Sequence, residues 1–250
     1  TRVGNKLSII DTKLEKEVNN IMVKNEPVEL LVSLKGDRIY VLNKASNSVT
    51  VIDAVSQMVL SQITVGDQPV CASISGETLY VGNYSSSDIS VINTVDNKVL
   101  KTIPVEGRPS AITYSQTHKK LYVANSSSQT ISVINTNNFT VTTTITAPNT
   151  STDINISPDN SLVYVSIPDQ KSIFLINPAN DTSSGEFVIR KNIASIKFSP
   201  DGKYLYICSP SRVENQASVI LVYDTKTKAL KKEIPTKEQC MKIVFSPERK

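Results

Sequence analysis

The sequence predicts an all-β protein, a β-propeller of four-stranded antiparallel blades. Two observations lead to this fold class. One apolar motif is written six times along the 250-residue chain, and a tyrosine followed by valine or isoleucine recurs in the same register. Self-similarity at a period of about 40–45 residues is typical of propellers, in which each repeat supplies one small sheet.

The spacing of the repeated residues divides the chain into similar segments. The apolar motif ends at Asp11, Asp53, Asn93, Asn135, Asn177 and Asp224, which are 42, 40, 42, 42 and 47 residues apart. The tyrosine pair begins at Tyr40, Tyr80, Tyr122, Tyr164 and Tyr206, and a serine ends another apolar stretch at Ser33, Ser75, Ser115, Ser157, Ser199 and Ser246. The approximate repeats are 6–43, 44–83, 84–125, 126–167, 168–208 and 209–250.

Each repeat is predicted to contain four short strands. The first is typified by residues 111–115, the second by 121–125, the third by 131–135 and the fourth by 99–105. These segments are rich in Val, Ile, Thr and Tyr, as a pleated surface prefers. Turn sequences such as Pro-Asp-Gly and Gly-Asp-Gln-Pro separate them. No long segment has a helical period.

The repeats favour six blades in a single domain spanning residues 1–250, with a fragment of a seven-bladed propeller as the alternative. The last copy stops before its second strand, while residues 1–5 resemble residues 79–83. The N-terminal residues are therefore expected to close the last blade, which would remove an open sheet edge.

Composition indicates a soluble globular protein. Charged residues make up 20% of the chain, hydrophobic residues 39%, and the net charge is +4. No apolar run approaches the roughly 20 residues of a membrane helix, so no membrane insertion is predicted. The chain begins with Thr1 rather than Met, as expected of a processed form or a piece of a longer protein.

The three cysteines are far apart in sequence: Cys71, Cys208 and Cys240. The favoured interpretation is that they pack as small apolar side chains, and one bridge with a free thiol is the alternative. No Cys-x-x-Cys pair or Cys/His cluster is present, so neither a metal site nor a cofactor is predicted.

Several recurring motifs together resemble the YVTN-repeat β-propeller family. They are Tyr-Val-x-Asn, Ser-Val-Ile-Asn-Thr, Lys-Thr-Ile-Pro-Val-x-Gly-x-Pro and Ser-Pro-Asp-Gly-Lys, and they cover essentially the whole chain. The resemblance implies an exported protein of the periplasm, the cell surface or the extracellular space. Members include a periplasmic DNA-binding protein, and related propellers include lyases and electron-transfer subunits. The fifth and sixth repeats depart from the Gly-x-Pro turn at residues 190–193 and 237–240, and the shared residues are structural, so no active site is implied.

The candidate binding site is the mouth of the central channel. One polar residue precedes the first strand of each repeat, and these are Glu26, Gln68, Arg108, Thr150, Asn192 and Gln239. These residues differ between copies, whereas the strands around them are repeated. The blade structure therefore does not constrain them, and they can contact a ligand. The alternative is that they are ordinary solvated loop residues.

Loops between the second and third strands are predicted on the same face. Tyr84 in the loop 83–88 is a candidate anchor for a partner, and the long loop 208–218 is the least repeat-like segment. The small polar residues of these loops are equally compatible with a role in capping turns.

Catalysis has little support in the sequence. The single histidine, His118, lies in a turn on the opposite face, and the rim carboxylates Asp67, Glu106 and Glu238 have no evident convergence. The favoured function is therefore non-catalytic binding of a protein or polymer ligand. A lyase-like or hydrolase-like propeller enzyme is one alternative. A DNA-binding propeller is the other, suggested by the basic residues Lys226, Lys228, Lys231, Lys232, Lys242, Arg249 and Lys250.

Overall fold

A computed structural model describes residues 4–211 and 217–245 of the chain. These residues form twenty-two strands and two short 3-10 turns. The strands are β1 (Lys6–Asp11), β2 (Lys16–Met22), β3 (Pro27–Val32), β4 (Arg38–Asn43), β5 (Ser48–Asp53), β6 (Val59–Thr64), β7 (Pro69–Ser75), β8 (Thr78–Asn83), β9 (Asp88–Asn93), β10 (Lys98–Pro104), β11 (Pro109–Ser115), β12 (Lys120–Asn125), β13 (Thr130–Asn135), β14 (Thr140–Thr146), β15 (Ile154–Ile156), β16 (Val163–Ile167), β17 (Ser172–Asn177), β18 (Thr182–Val188), β19 (Ser195–Phe198), β20 (Tyr204–Ser209), β21 (Ser218–Asp224) and β22 (Leu230–Thr236). The 3-10 turns are Lys44–Ser46 and Pro168–Gln170.

Twenty of the strands form five four-stranded sheets, which we call blades I to V. Strands β3–β6 form blade I, β7–β10 blade II, β11–β14 blade III, β15–β18 blade IV and β19–β22 blade V. Strands that follow each other in sequence pair side by side, and the pairs are antiparallel. This arrangement confirms the predicted order of four strands in a repeat.

The predicted number of blades, six or part of seven, is wrong, because the described residues form five. The first copy of the apolar motif is β1, which pairs only with β2 in a two-stranded sheet. The last copy lacks its first strand, since residues 241–245 have no regular structure. Counting motifs therefore overestimated the blades by one. The predicted closure by the N-terminus depends on residues 1–3 and 246–250, which lie outside the described residues.

Burial within a blade follows the position of the strand. The second and third strands are almost wholly buried, since both faces of the sheet are covered. The fourth strand is polar and exposed, with one apolar side chain turned inward, such as Ile63 in β6, Ile103 in β10 and Phe187 in β18. The fourth strands of blades I, II and IV therefore contribute one buried residue each, whereas β14 and β22 have none.

The chain divides into two compact units, Thr1–Ala111 and Ile112–Lys250. In the first unit, Tyr40, Leu42, Leu79 and Val81 belong to one buried apolar cluster. In the second, blades IV and V share a buried apolar cluster that includes residues from β16 to β21. The prediction of a single domain over residues 1–250 stays a prediction.

The recurring serine closes the turn between the first and second strands. In blade I, the Ser33 hydroxyl donates to Asp37 Oδ1 at 2.7 Å and accepts from the Arg38 N–H at 3.0 Å. Ser157 and Ser199 make the same pair of bonds in blades IV and V. In these three blades the serine thus satisfies a backbone N–H at the start of the second strand, which the turn would otherwise leave unpaired.

Cys208 and Cys240 form a disulfide, with their Cα atoms 5.3 Å apart. The favoured interpretation of these two cysteines as packed apolar side chains is therefore wrong, and the one-bridge alternative is the one observed. Cys71 is buried and outside any disulfide, as that alternative also expected. The bond ties the end of β20 to the segment that follows β22.

Candidate functional site

The six predicted rim residues all lie in loops, in two groups of three. Glu26, Gln68 and Arg108 belong to the first compact unit and precede β3, β7 and β11. The other three belong to the second unit, where Thr150 precedes β15, Asn192 precedes β19 and Gln239 follows β22. The complete ring stays a prediction, and each group is described by itself.

Glu26 and Gln68 have the same backbone conformation at equivalent places in blades I and II. Their φ angles are 55° and 56°. These values lie in the left-handed region that non-glycine residues rarely occupy. The Glu26 carbonyl accepts from the Lys44 N–H and the Gln68 carbonyl from the Tyr84 N–H, both at 2.9 Å. These bonds join each rim loop to the loop between the second and third strands of its blade, and so fix the rim residues in place.

Asn47 connects the loops of blades I and II. Its Nδ2 donates to Asp67 Oδ1 at 2.8 Å, and its Oδ1 accepts from the Gln68 N–H at 2.9 Å. On the other side of the loop, the Asp67 N–H donates to the Ser86 hydroxyl at 2.9 Å. The segment 66–68 is therefore hydrogen-bonded to two neighbouring loops, which makes it a rigid support.

Tyr84 and Arg108, selected separately from the sequence, lie together in the structure. The Arg108 guanidinium carbon is 5.3 Å from the centre of the Tyr84 ring. This separation is within the range of a cation–π contact. Tyr84 is partly buried and Arg108 is exposed. The pair presents a flat aromatic ring, on a loop hydrogen-bonded to the segment 66–68, beside an exposed guanidinium group.

Gly66 permits this close packing of loops. A Cβ atom at residue 66 would lie 2.5 Å from the Ser86 hydroxyl oxygen and 2.7 Å from Asn83 Nδ2, so any other residue would displace these side chains. Asn83 itself is fully buried and donates to the Ser90 hydroxyl at 2.8 Å. In the sequence, Gly66 is recognisable only as part of the Gly-Asp-Gln-Pro turn. Its supporting role, like that of Asn47, depends on contacts between loops that spacing does not encode.

In the second unit, the predicted rim residues make simpler contacts. The Thr150 N–H donates to the Asn149 side chain at 2.6 Å, and Asn192 Nδ2 donates to the Pro210 carbonyl at 3.1 Å. Gln239 is exposed and precedes a stretch without a strand. The long loop 208–218, proposed as a partner site, includes residues 212–216, which lie outside the described residues.

Asp153 is a partly buried carboxyl group that was not recognised from the sequence. Its Oδ2 accepts from the Ser195 hydroxyl at 3.0 Å and from the Ile196 N–H at 2.9 Å, which ties β15 to β19. Burial raises the pKa of Asp153, although these hydrogen bonds oppose the change. The indication in the sequence is that Asp153, four residues before Ser157, occupies the position that Ala111 holds before Ser115 in the preceding repeat. Its contacts indicate a role in joining two blades.

His118 also serves the frame. Its Nδ1 lies 3.0 Å from the hydroxyl of Ser115, which is fully buried. The same hydroxyl donates to Asn160 Oδ1 at 3.2 Å. Asn160 thus accepts the serine hydroxyl proton that an aspartate of the same turn accepts in blades I, IV and V, and His118 contacts the same hydroxyl.

The rim carboxylates named from the sequence are not brought together by any contact of the described residues. Asp67 bonds to Asn47, and the main-chain carbonyl of Glu238 accepts from Thr236 at 2.7 Å. Residues 4–211 and 217–245 contain no group of three His, Cys, Asp or Glu side chains able to hold a metal ion. None of their helices is long and apolar enough to cross a membrane.

The basic cluster lies on β22 and its neighbouring segments. Lys231 and Lys232 are exposed on β22, and Lys226 and Lys228 lie in the turn before it. Lys228 Nζ is 5.7 Å from the centre of the Phe187 ring. Lys242 follows β22, while Arg249 and Lys250 lie outside the described residues. The described lysines thus cover the outer strand of blade V.

Comparisons with known proteins agree on the fold. No protein-family model matches the chain, and a search of curated proteins found no match. A chain of the structure titled Kuenenia stuttgartiensis hydrazine synthase is 25% identical, with a TM-score of 0.76 over 85% of this chain and 67% of that one. A chain of a mitotic checkpoint complex crystal structure is 13% identical, with a TM-score of 0.81 over 94% of this chain and 73% of that one. Together with the five four-stranded sheets, these likenesses establish that the chain is a β-propeller.

Proposed function

We propose that this chain is a non-catalytic binding or scaffold propeller that engages a protein or polymer ligand. The ligand contacts the loops that precede the first strands and those that join the second and third strands. The observation that carries the proposal is the Tyr84–Arg108 pair, in which the loop of Tyr84 is fixed by backbone hydrogen bonds to the segment 66–68.

Two physical arguments support the pair as a binding site. Tyrosine and arginine are the residue types most enriched among the energetically dominant residues of protein interfaces. In addition, Asn47 and Gly66 hold the supporting segment in one conformation, so little conformational entropy is lost when a ligand binds. A rigid base with one aromatic and one guanidinium group suits a ligand that carries carboxylates or flat apolar groups.

The proposal includes a YVTN-type repeat and an exported location. The first is supported by the recurrence of Tyr-Val-x-Asn in three blades, where Asn83 and Asn125 are buried and donate to serines of the third strand. The second is supported by the Cys208–Cys240 disulfide, because such bonds persist in oxidising compartments outside the cytosol.

The structural neighbours show that this fold occurs both in a protein assembly and in an enzyme. One neighbour belongs to a mitotic checkpoint complex, a protein assembly by its title. The other belongs to a hydrazine synthase, so the same fold also occurs in an enzyme. We place catalysis second because Asp67, the rim carboxylate with described contacts, is already bonded to Asn47 within the loops.

The test is a binding screen with matched variants. The native chain, Tyr84→Ala and Arg108→Ala are applied to immobilised glycans, acidic polysaccharides and peptides, with Lys98→Ala on exposed β10 as the control. We expect at least one ligand whose affinity falls about tenfold or more in both rim variants and is unchanged in the control. Ligands that bind all four proteins equally would contradict the proposal.

A DNA duplex belongs in the same screen. Binding to phosphates through the lysines of blade V would weaken steeply with added salt and would be unaffected by the two rim variants. That result would favour the nucleic-acid alternative over the proposed function.

A further inference from the structure

Two junctions between successive blades of the second unit can be compared directly. At each, the second strand of one blade faces the turn between the third and fourth strands of the next blade. We call the junction of blades III and IV the closed junction, and that of blades IV and V the open junction.

The closed junction is filled by a lysine. Lys120 Nζ donates to the Pro178 carbonyl at 2.9 Å and to Asp181 Oδ2 at 2.8 Å. The Tyr122 hydroxyl donates to the other oxygen of the same carboxylate, Oδ1, at 2.7 Å. An ammonium group, a tyrosine hydroxyl and a carboxylate therefore satisfy one another between the two blades.

The open junction has the same left-handed position in its turn but different side chains. By alignment on the tyrosine, Leu162 stands where blade III has Lys120, and Tyr164 stands where it has Tyr122. In the turn, Lys228 occupies the left-handed position of Asp181, with φ of 55° against 59°. Both charged groups that close the first junction are therefore missing from their places in the second.

Tyr164 is left without a hydrogen-bond partner in the open junction. The residue is 4% exposed, and its ring packs edge to face on Phe198 with centroids 4.9 Å apart. Its hydroxyl makes no hydrogen bond with any residue that the structure describes. Because Tyr164 lines an open cleft, its hydroxyl is available to hydrogen-bond a ligand atom that enters there.

Beside Tyr164 lies a cleft of about 640 Å³. Its walls combine apolar and aromatic side chains, namely Pro158, Leu162, Phe198 and Tyr204, with three carboxylates. A volume of this order is typical of sites that take up a small ligand or part of a larger one.

The three carboxylates of the cleft are Asp159, Asp201 and Asp224. Each accepts the hydrogen bonds of its own turn through Oδ1. A serine hydroxyl, or a backbone N–H in the case of Asp224, holds the pKa of each carboxyl group below its ordinary value. All three are therefore ionised at neutral pH.

Two of these carboxylates have a lysine partner, and among the described residues the third has none. Lys203 Nζ lies 3.3 Å from Asp201 Oδ2 and Lys231 Nζ lies 4.0 Å from Asp224 Oδ2, while Lys226 is exposed at the edge of the cleft. Asp159 makes no ion pair with a described residue, and its charge contributes to the raised pKa of Tyr164, which burial raises most. The part of the cleft next to Tyr164 therefore favours a cation.

We propose that the open junction binds a lysine or arginine side chain of a partner polypeptide. The cationic group bonds to Asp159 and to the Tyr164 hydroxyl, and the aliphatic stem packs on Leu162 and Phe198. The molecule itself supplies the precedent, because Lys120 occupies the corresponding space one blade earlier. This site is independent of the rim loops of the first unit.

A pair of small probes tests the cation requirement. Nα-acetyl-arginine amide and its neutral isostere Nα-acetyl-citrulline amide are titrated into the isotope-labelled native chain and followed by NMR. For a probe of this size we expect a Kd of about 1 mM for the arginine form and at least about tenfold weaker binding of citrulline. Equal binding of the two probes, or no binding of either at about 50 mM, would overturn the proposal.

Variants of the chain test whether the arginine probe binds in the cleft. The double substitution Leu162→Lys and Lys228→Asp rebuilds the closed junction, and we expect it to abolish arginine binding while the thermal midpoint stays the same or rises. The matched control Leu162→Met should bind as the native chain does. Should the double variant fail to fold, Asp159→Asn provides the same test, with an expected loss of about tenfold. Binding that survives both changes would reject this site.

Discussion

The closed and open junctions share the left-handed position of their turn but reach opposite results. In the closed one, the side chains of Lys120 and Asp181 are only 22% and 14% exposed, and they meet Tyr122 in a hydrogen-bonded group. In the open one, Leu162 and Lys228 hold the same positions and leave a cleft beside Tyr164. Two side chains are thus enough to convert a filled contact between blades into a space for a ligand.

The difference also shows which positions of the repeat can vary without disturbing the blade. The tyrosine is retained in both junctions because its ring packs in the core of the blade in either case. The residues around its hydroxyl are not constrained by the blade, so they can vary between copies. In the first unit, the equivalent Tyr40 is likewise buried, at 1% exposure.

The largest effect is expected from the Cys208–Cys240 disulfide of blade V. This blade forms one wall of the open junction. Replacing Cys208 and Cys240 by alanine removes a link between residues that are 32 positions apart in sequence. The loop entropy predicts a loss of about 3–4 kcal/mol in the free energy of unfolding. Chemical denaturation of the native and double-alanine chains measures it. Cys71→Ala, at a buried cysteine outside the disulfide, is the control for loss of side-chain volume. Equal losses of unfolding free energy in the double-alanine chain and in Cys71→Ala would show that the disulfide does not stabilise blade V.

The next effect concerns the carboxylate of the closed junction. Asp181→Asn keeps the shape and the left-handed preference of the residue but removes the charge that Lys120 and Tyr122 share. We expect a loss of about 2–3 kcal/mol in unfolding free energy, since hydrogen bonds to a charged group are broken at a largely buried site. Lys228→Asn places the same residue at the same position of the open junction, where we expect a change of at most about 0.5–1 kcal/mol. Urea denaturation measures both changes. Similar losses of unfolding free energy at the two positions would show that the hydrogen-bonded carboxylate does not stabilise the closed junction more than Lys228 stabilises the open one.

A smaller effect is expected from the glycine beside the open junction. A Cβ at Gly202, where φ is +70°, would lie 3.2–3.3 Å from the Pro158 ring atoms of the neighbouring blade. Gly36 has φ of +74° and no atom within 4 Å of a Cβ. Gly36→Ala therefore measures the backbone cost alone, about 1 kcal/mol, and Gly202→Ala should exceed it by about 0.5–1 kcal/mol. Identical thermal shifts would mean that the Pro158 contact does not restrain the cleft.

The sequence was sufficient for the strands and their order. The fixed spacing of Tyr40, Tyr80 and Tyr122 reports a local pattern, and local patterns determine which segments become strands of a blade. The number of blades was predicted wrongly because the motif in β1 marks a third strand, not a complete sheet. Whether a third strand gains its two inner partners depends on chain segments far away in sequence.

The candidate sites were less predictable for a related reason. Tyr84 and Arg108 were each selected as loop residues, but their contact joins loops of different repeats. The open junction was missed altogether, because Leu162 and Lys228 look unremarkable until they are placed opposite each other across two blades. Side-chain contacts between repeats depend on the geometry of packing, and the repeat period carries no information about it.

The central claim is that the equivalent tyrosines differ in one hydrogen bond, and two single substitutions measure it. Tyr122→Phe removes a hydroxyl that donates to Asp181, whereas Tyr164→Phe removes one without a partner among the described residues. Urea unfolding should give a loss of about 1–2 kcal/mol for Tyr122→Phe and a change below about 0.5 kcal/mol for Tyr164→Phe. Equal losses, or a larger loss at Tyr164, would contradict the account.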